Sequence, residues 1–525
     1  MAHSMTPLEA LKEWQEFCQQ AQQAKVNPKR LRLLPAASLT VDLSGQRYST
    51  SLEAAAHRLL KARDVLQWQK QLLSGQPVNT TENRAAWHSM LRAPAPIAEV
   101  VKERERMNAF IRQADATRRW RHIVHIGIGG SDWGVRLTVN AFGYTKLWRS
   151  VRFVANIDGH AIASGLAGLN PHDTLIVVAS KSFATAETLL NARRAIEWLQ
   201  AAGVSDPYSQ AVAITANTKA AQDFGIPSTQ IFKLWDWVGG RFSIWSAVSL
   251  TTALAVNSDV IAGMHAGAAA MDQHFEEAPW EKNAPIQMAL AGLINRSILG
   301  YGSLNIAPYD SRLSDLVPYL QQLEMESLGK SVDLNGHAVT VPTGPAVWGM
   351  PGTDAQHTFF QWLHQGSDGA PVDFIVCQQA DHQWPEHHRS LLANCLAQRE
   401  AMLVGKNYDQ ALAECLRQGH DADTAAWLAK HRVHQGGRPN TLIVLPRLSP
   451  YTLGALLALY EHKIAVQARI WGINPFDQWG VEYGKTLASD IIQALNSPTS
   501  ENTPHHSADA STQHWINTFK NSAHN

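Results

Sequence analysis

A glycine-rich segment, residues 125–134 (HIGIGGSDWG), stands directly after an apolar run of the sequence. Glycines at such a place let the backbone come close to a ligand, and the exposed amides at the start of a following helix favour an anion. We therefore expect Gly130 and Ser131 to lie beside a bound anionic group. By itself this segment is a weak signal.

A second polar segment, residues 179–188 (ASKSFATAET), also follows an apolar run. Ser180, Ser182 and Thr185 offer hydroxyl groups and Lys181 offers a positive charge, and this combination suits a monophosphate. Helix capping by serine and threonine accounts for the same pattern. Two such segments at strand ends favour the phosphate-binding interpretation, because ligands bind at the carboxyl ends of parallel strands.

The spacing of the glycines speaks against two nucleotide-binding motifs. A dinucleotide loop of the form GxGxxG needs glycine where Asp132 stands, and a carboxylate there would repel a pyrophosphate. Residues 480–486 (GVEYGKT) are one residue short of a P-loop, and no apolar strand directly precedes them. An NAD-dependent oxidoreductase is therefore a disfavoured alternative.

Further segments carry the titratable groups that acid–base chemistry needs. They are residues 79–85 (NTTENRA), 236–246 (DWVGGRFSIWS), 321–330 (QQLEMESLGK), 351–357 (PGTDAQH) and 474–485 (NPFDQWGVEYGK). In sequence and in order, these segments resemble the motifs of the glucose-6-phosphate isomerase family. The resemblance runs from about residue 79 to residue 488.

This resemblance implies a reversible isomerisation of glucose 6-phosphate and fructose 6-phosphate, a step of glycolysis and gluconeogenesis. The reaction would proceed by ring opening and proton transfer through a cis-enediol intermediate, without a cofactor or a metal. The resemblance makes Glu326 the base, places Arg241 beside the enediolate, and pairs His357 with Lys485 for ring opening. The substrate-binding residues would be Gly130, Ser131, Ser180, Lys181, Ser182, Thr185, Gln322 and Gln478, with Ser131 acting less directly on the phosphate.

The resemblance also implies an architecture and an assembly. The fold would consist of two flavodoxin-like sugar-isomerase lobes. The protein would be a homodimer in which His357 reaches across to the site of the partner subunit.

The chemistry of an aldose–ketose conversion asks for these groups. One carboxylate can take a proton from one carbon and return it to the neighbouring carbon. A neutral histidine can move protons during ring opening, and a guanidinium stabilises the oxygen charge of the intermediate. A non-catalytic sugar-phosphate-binding protein is the alternative, which the joint presence of Glu326, His357 and Arg241 disfavours. Activity on mannose 6-phosphate stays open.

Three positions near these groups differ from the family pattern. Met350 stands where glutamate is usual, Ala355 where glycine is usual, and Leu328 where asparagine is usual. None of these differences removes a titrating or phosphate-binding group. They bear on the backbone around His357 and on the fit of the substrate.

The apolar pattern predicts the elements that position these segments. Helical spacing covers residues 5 to about 95, and a helix-rich stretch from about 245 to 300 separates two blocks of short apolar runs. Such runs alternating with helices are typical of a parallel sheet covered on both faces. The predicted strands are 122–128, 151–155, 174–179, 211–215, 303–307, 373–377, 441–446 and 469–473, with a helix at 452–467.

We therefore predict an α/β protein with four parts. A helical N-terminal region covers residues 1–95, and a first lobe over 96–285 binds phosphate. A second lobe over 286–488 carries the catalytic glutamate and histidine, and a tail covers 489–525. In the tail, residues beyond about 495 are predicted to be loosely ordered, while Trp515, Ile516 and Phe519 have the spacing of a small docking helix.

Composition narrows the possible partners and location. The 525 residues include 45 lysines and arginines and 45 aspartates and glutamates, so nothing points to a nucleic-acid or membrane partner. The four cysteines lie far apart without a CxxC pair, and no apolar run approaches the roughly 20 residues of a membrane span. We expect a cytoplasmic protein, with His382, His387 and His388 in a surface loop rather than at a metal.

Overall fold

A computed structural model gives the fold and describes residues 5–145, 147–497 and 509–522. The chain forms two compact units, Met1–Pro475 and Phe476–Asn525. In the described part of the chain, no helix combines the length and the apolar character that crossing a bilayer requires.

The first unit contains eleven strands among its described residues. In chain order they are β1 (Leu33–Ala36), β2 (Leu39–Asp42), β3 (His122–Ile126), β4 (Ser150–Val154), β5 (Thr174–Ala179), β6 (Ala211–Thr215), β7 (Ile231–Lys233), β8 (Ser303–Tyr309), β9 (Ala346–Gly349), β10 (Val372–Cys377) and β11 (Asn440–Leu445).

These strands form two separate sheets. The five-stranded sheet is parallel throughout, with the order β4-β3-β5-β6-β7. The six-stranded sheet has the order β1-β2-β11-β10-β8-β9, and its last four strands are parallel. Every residue of β5, β6 and β10 is buried, as expected for strands covered by helices on both faces.

Helices supply the covering layers. In the first unit they are α1 (Lys12–Gln23), α2 (Thr50–Ala62), α3 (Val65–Leu73), α4 (Ala98–Ala116), α5 (Trp133–Gly143), α6 (Gly159–Leu166), α7 (Ala186–Ala201), α8 (Thr218–Asp223), α9 (Leu250–Ala255), α10 (Ser258–Glu277), α11 (Ala284–Leu293), α12 (Leu316–Leu320), α13 (Phe360–Gln365), α14 (Pro385–Val404), α15 (Tyr408–Arg417), α16 (Ala422–His431) and α17 (Pro450–Trp471). The second unit contains α18 (Glu482–Asn496) and α19 (Ala510–Ser522).

The structure confirms most of the predicted elements. The strands predicted at 174–179 and 211–215 match β5 and β6 at both ends. The spacing of Trp515, Ile516 and Phe519 predicted a helix, and α19 contains all three. The loose order predicted beyond residue 495 falls largely outside the described residues, and the boundaries at 95, 285 and 488 stay a prediction.

Two predictions need correction. The run 469–473 is not a strand, because α17 continues into it as far as Trp471 and is capped by Gly472, whose φ is +76°. Almost all of α17 is buried, so its apolar end has no polar face to reveal a helix. The N-terminal region was predicted as helices alone, yet it also contributes the antiparallel pair β1 and β2, and β2 pairs with β11.

Candidate active site

The glycine-rich segment forms a tight turn between β3 and α5, with a 3₁₀ turn at Gly129–Ser131. A Cβ atom added at Gly130 would lie 2.1 Å from the carbonyl oxygen of Gly240. Ser243 Oγ also donates to the Gly130 carbonyl oxygen at 3.2 Å. Only glycine allows this approach, which places the turn directly against the segment that carries Arg241.

A buried histidine, His125, holds this turn in place through a hydrogen bond to its backbone. His125 Nε2 lies 2.7 Å from the Ser131 carbonyl oxygen and therefore donates to it, while Nδ1 accepts from Thr251 Oγ1 at 2.8 Å. Burial lowers the pKa of His125 to about 4, so the ring is neutral at physiological pH. His125 was not among the predicted site residues. The feature of the sequence that could have indicated it is a histidine inside an apolar strand.

The serine-rich segment lies between β5 and the start of α7. Thr185 is the residue before α7, yet its side chain caps no helix amide. Its hydroxyl instead lies 3.2 Å from Ser180 Oγ, and Ser182 Oγ accepts from the Ala184 amide at 3.3 Å. The first amides of α7 are thus left without the capping side chain that the alternative interpretation of this segment required.

The Lys181 side chain links this segment to the next loop. Its Nζ donates to the carbonyl oxygens of Asp236 and Val238, both at 2.9 Å. Burial and then the charge of Arg84 lower the pKa of Lys181 to about 8. The ammonium therefore holds together the two chain segments that lead to Ser182 and to Arg241.

Glu326 and Arg241 face each other where these loops meet. Arg241 Nη1 lies 3.4 Å from Glu326 Oε1, and Gln322 Nε2 donates to Glu326 Oε2 at 2.9 Å. The Arg241 side chain is 1% exposed and that of Glu326 is 23% exposed. The carboxylate thus has two donors behind it and an open side toward solvent.

Two further contacts hold the guanidinium. Arg241 Nε donates to Ser327 Oγ at 2.7 Å, and Nη2 donates to the carbonyl oxygen of Pro475. Ser327 is fully buried. Nothing in the sequence indicates a role for Ser327, since only the folded chain brings it to Arg241.

The segment Gln321–Glu326 is a π-helical turn that continues α12. π-Helical turns inside helices occur frequently at functional sites. A Cβ atom added at Gly129 would lie 2.8 Å from Gln322 Nε2, so Gln322 lies over the glycine-rich turn. The structure thereby brings Gln322 and Glu326 of this turn together with Gly130 and Arg241, which lie far away in the sequence.

His357 lies in the 3₁₀ turn Asp354–His357 and is exposed. In the described ranges it has no hydrogen-bond or ion-pair partner, so the structure of one chain does not join it to Glu326. Ala355, two residues before His357, is fully buried in an apolar cluster with Tyr309 and Phe360. The alanine in place of the usual glycine therefore extends the core under His357.

The other two departures from the family pattern are also packing positions. Met350 packs against the same apolar cluster, and its sulfur accepts from Thr358 Oγ1 at 3.6 Å. Leu328 is fully buried. Apolar contacts of Met350 and Leu328 thus support the backbone near His357 and near Glu326.

The second unit carries two of the predicted site residues. Gln478 directly precedes a 3₁₀ turn, Trp479–Val481, and Lys485 lies on α18. The Lys485 ammonium lies 2.8 Å from Glu482 Oε1. The place of Gln478 and Lys485 beside Glu326 stays a prediction.

The surface loop predicted for His382, His387 and His388 is correct only for His382, because His387 and His388 lie in the first turn of α14. The rings of His382 and His388 are 6.1 Å apart, and His388 is half-buried. Within the part of the chain that the structure describes, no group of His, Cys, Asp and Glu side chains is arranged to hold a metal ion.

Comparison with known proteins agrees with this geometry. A family model described as phosphoglucose isomerase matches residues 42–516. The chain is 56% identical over 519 residues to the glucose-6-phosphate isomerase of Bordetella pertussis, covering 98% of this chain and 99% of that protein. It is 43% identical over 486 residues to the glucose-6-phosphate isomerase of Leptothrix cholodnii, covering 88% and 89% of the two chains.

A solved structure shows the same architecture. The crystal structure of a glucose-6-phosphate isomerase from Chlamydia trachomatis matches with a TM-score of 0.83 and 28% identity. The match covers 98% of this chain and 100% of that one. The helices and sheets of the first unit therefore follow the architecture of that solved protein.

Proposed function

The chain belongs to the phosphoglucose isomerase family, and on that basis we propose that it interconverts glucose 6-phosphate and fructose 6-phosphate. The observation that carries the proposal is the Glu326 carboxylate, held by Arg241 and Gln322 next to the glycine-rich turn. A carboxylate with one open side, backed by a buried cation, is the arrangement that proton transfer through an enediol needs.

The phosphate binds at the start of α7. Hydroxyls of Ser180, Ser182 and Thr185 donate to it, together with the first amides of the helix, whose dipole favours an anion. Lys181 contributes its backbone amide, because its ammonium already donates to two carbonyl oxygens. Gly130 and Ser131 complete the cradle from the neighbouring turn. The uncapped amides of α7 support this assignment.

Ring opening belongs to His357 and Lys485, and Gln478 is a further substrate-binding residue. The histidine moves a proton between the ring oxygen and O1, and the ammonium stabilises the charge that develops on oxygen. His357 is exposed in a single chain, which supports a homodimer in which it enters the site of the partner subunit.

Glu326 then transfers the proton between carbons. It takes the hydrogen of C2 as a proton, and the electron pair of that bond forms the double bond of the cis-enediol, whose O1 gains a proton. Glu326 returns a proton to C1 while the hydroxyl of O2 loses its own, which gives the ketose. Arg241 stabilises the oxygen charge of the intermediate. Each step is a proton transfer.

A coupled assay on the full chain tests the proposal. Fructose 6-phosphate is supplied, and glucose 6-phosphate is detected by an excess of an NADP-dependent glucose-6-phosphate dehydrogenase. We expect turnover by the wild type and a loss of about 10³-fold in kcat for Glu326→Gln, the scale of a general base. Binding of fructose 6-phosphate without conversion would instead identify a non-catalytic sugar-phosphate-binding protein.

We also propose a cytoplasmic location and the two-lobe division at residues 96–285 and 286–488. The cysteines support the location, since all four are free and three of them are buried. Burial raises the pKa of Cys377 and of Cys395 to about 12, so both stay as inert thiols. The two separate sheets support the division.

A further inference from the structure

We propose that Glu324 is a positioning residue for Glu326, because its buried ion pair with Lys463 fixes the π-helical turn that carries the base. The inference rests on the proposed function of Glu326. It adds a residue that does not touch the substrate and that acts through the backbone of this turn.

The ion pair joins the turn to α17, a helix that is almost entirely buried. Lys463 Nζ donates to Glu324 Oε1 at 2.8 Å and to Oε2 at 2.9 Å. The Glu324 side chain is 0% exposed and that of Lys463 is 4% exposed. Lys463 lies in the middle of α17, whose neighbouring residues are all buried. The anchor is therefore rigid and shielded from water.

The two glutamates of the turn face in opposite directions. Gln322 and Glu326 are four residues apart and share a hydrogen bond, so they lie on one side of the turn, toward Arg241. Glu324 lies midway between them and points to α17 on the other side. Holding Glu324 thus sets the rotation of the turn, and with it the direction of the Glu326 carboxylate.

A π-helical turn needs such an anchor more than an α-helix does. Its hydrogen bonds run from i to i+5, and it is rare except as a single turn inside an α-helix. Two strong, charge-assisted hydrogen bonds from outside the turn supply the missing restraint. We infer that without them the turn relaxes and Glu326 shifts from its place opposite Arg241.

The surroundings of the pair leave Glu324 as the near counter-charge of Lys463. A small cavity of about 30 Å³ borders both side chains and also Asp373. Asp373 Oδ2 accepts from the Tyr460 hydroxyl at 3.0 Å, and burial raises the pKa of Asp373 although the charge of Lys463 lowers it. Lys463 Nζ donates its hydrogen bonds to Glu324 and not to Asp373. Removing Glu324 alone therefore strands a buried ammonium, whereas removing both partners does not.

A comparison of the single with the double variant therefore distinguishes a loss of stability from a loss of positioning of Glu326. In Glu324→Met, we expect both the free energy of unfolding and kcat to fall. In Glu324→Met/Lys463→Met, two flexible apolar side chains of similar length replace the pair, and we expect the stability to return close to that of the wild type. We expect kcat to stay down by about 10-fold or more while KM changes by less than about 3-fold, because only the base is misplaced.

A second buried ion pair provides the matched control. Arg399 Nη2 lies 2.8 Å from Asp42 Oδ2, and this pair joins α14 to β2 in the same unit. Asp42→Asn also breaks a largely buried pair, and we expect it to lower stability while kcat stays within about 2-fold of the wild type.

Normal kcat in the double variant at restored stability would overturn the proposal, because the turn would then hold Glu326 without the anchor. If the double variant does not fold, Lys463→Met takes its place; it removes both hydrogen bonds to Glu324, and an unchanged kcat there is equally contrary. Glu326→Gln is measured alongside. If that variant turns over normally, Glu326 is not the base and the proposed function fails first, with a pattern distinct from failure of the anchor.

Discussion

The Glu326 carboxylate meets a guanidinium at one oxygen and an amide at the other, and its remaining side is open. Its role therefore depends on neighbours that the sequence places 85 and 4 positions away, at Arg241 and Gln322.

The contacts of Lys181 differ from those that the sequence suggested. Its type and position suggested a direct countercharge for a phosphate, yet its ammonium donates to two carbonyl oxygens and ties two loops together.

The burial of the Lys181 ammonium has a consequence for stability. The pKa of Lys181 is about 8 in the folded chain against 10.5 ordinarily, so between these values the unfolded chain binds more protons. The stability of the wild type relative to Lys181→Met should therefore rise as the pH goes from 8 to 10.5. Urea unfolding of both proteins at the two ends of this range measures the change. A constant difference would mean that the ammonium is solvated in the folded chain.

At the scale of elements, the site is built where turns from distant parts of the chain touch. The glycine-rich turn packs on the segment Gly240–Trp245, and the π-helical turn Gln321–Glu326 lies over both. The contact between Gly130 and Gly240 is the closest of these approaches. A side chain at Gly130 has no room, whereas a side chain at Gly240 points into open space.

Gly130→Ala should therefore destabilise the protein by about 1–3 kcal/mol, the usual cost of overpacking. It should also lower activity, since the turn moves away from Arg241. Gly240→Ala is the matched control for stability, because a Cβ atom there meets nothing within 4 Å. Denaturant unfolding compares the two variants. Equal stabilities would contradict the close packing of the two segments.

The sequence predicted the parallel strands well because buried strands such as β5 are continuous apolar runs. It failed at 469–473, where the end of the buried helix α17 has the same composition as a strand. The anchoring contacts of Arg241 with Ser327 and of Lys181 with two carbonyl oxygens were out of reach. Both join segments that only the tertiary structure brings together. The site residues themselves were proposed from motifs, and four of them lie together in the structure.

At the scale of the whole molecule, the open question is which chain completes the site. His357 is exposed and lacks a hydrogen-bond or ion-pair partner among the described residues of its own chain, although the residues around it are firmly packed. The exposure of this histidine supports the proposed role toward a second copy. A symmetric dimer would contain two such sites, each with Glu326 from one chain and His357 from the other.

Mixed dimers test this arrangement. Glu326→Gln and His357→Ala are produced together, so that half of the dimers contain one chain of each kind. If His357 acts across the interface, each mixed dimer has one intact site, and the mixture should show about a quarter of wild-type activity. Each variant alone provides the background. If the activity of the mixture does not exceed the mean activity of the two separate variants, both residues act within one chain.

Exchange of the C2 hydrogen with solvent tests the central claim most directly. Glucose 6-phosphate is incubated with the protein in D₂O, and deuterium at C2 of the aldose and C1 of the ketose is followed by NMR. A carboxylate that holds the proton during the enediol step exchanges it with water, so we predict deuterium at both carbons. In Glu326→Gln, we predict that the rate of deuterium incorporation falls by about 10³-fold. Conversion by the wild type without any deuterium at these carbons would contradict proton transfer by Glu326.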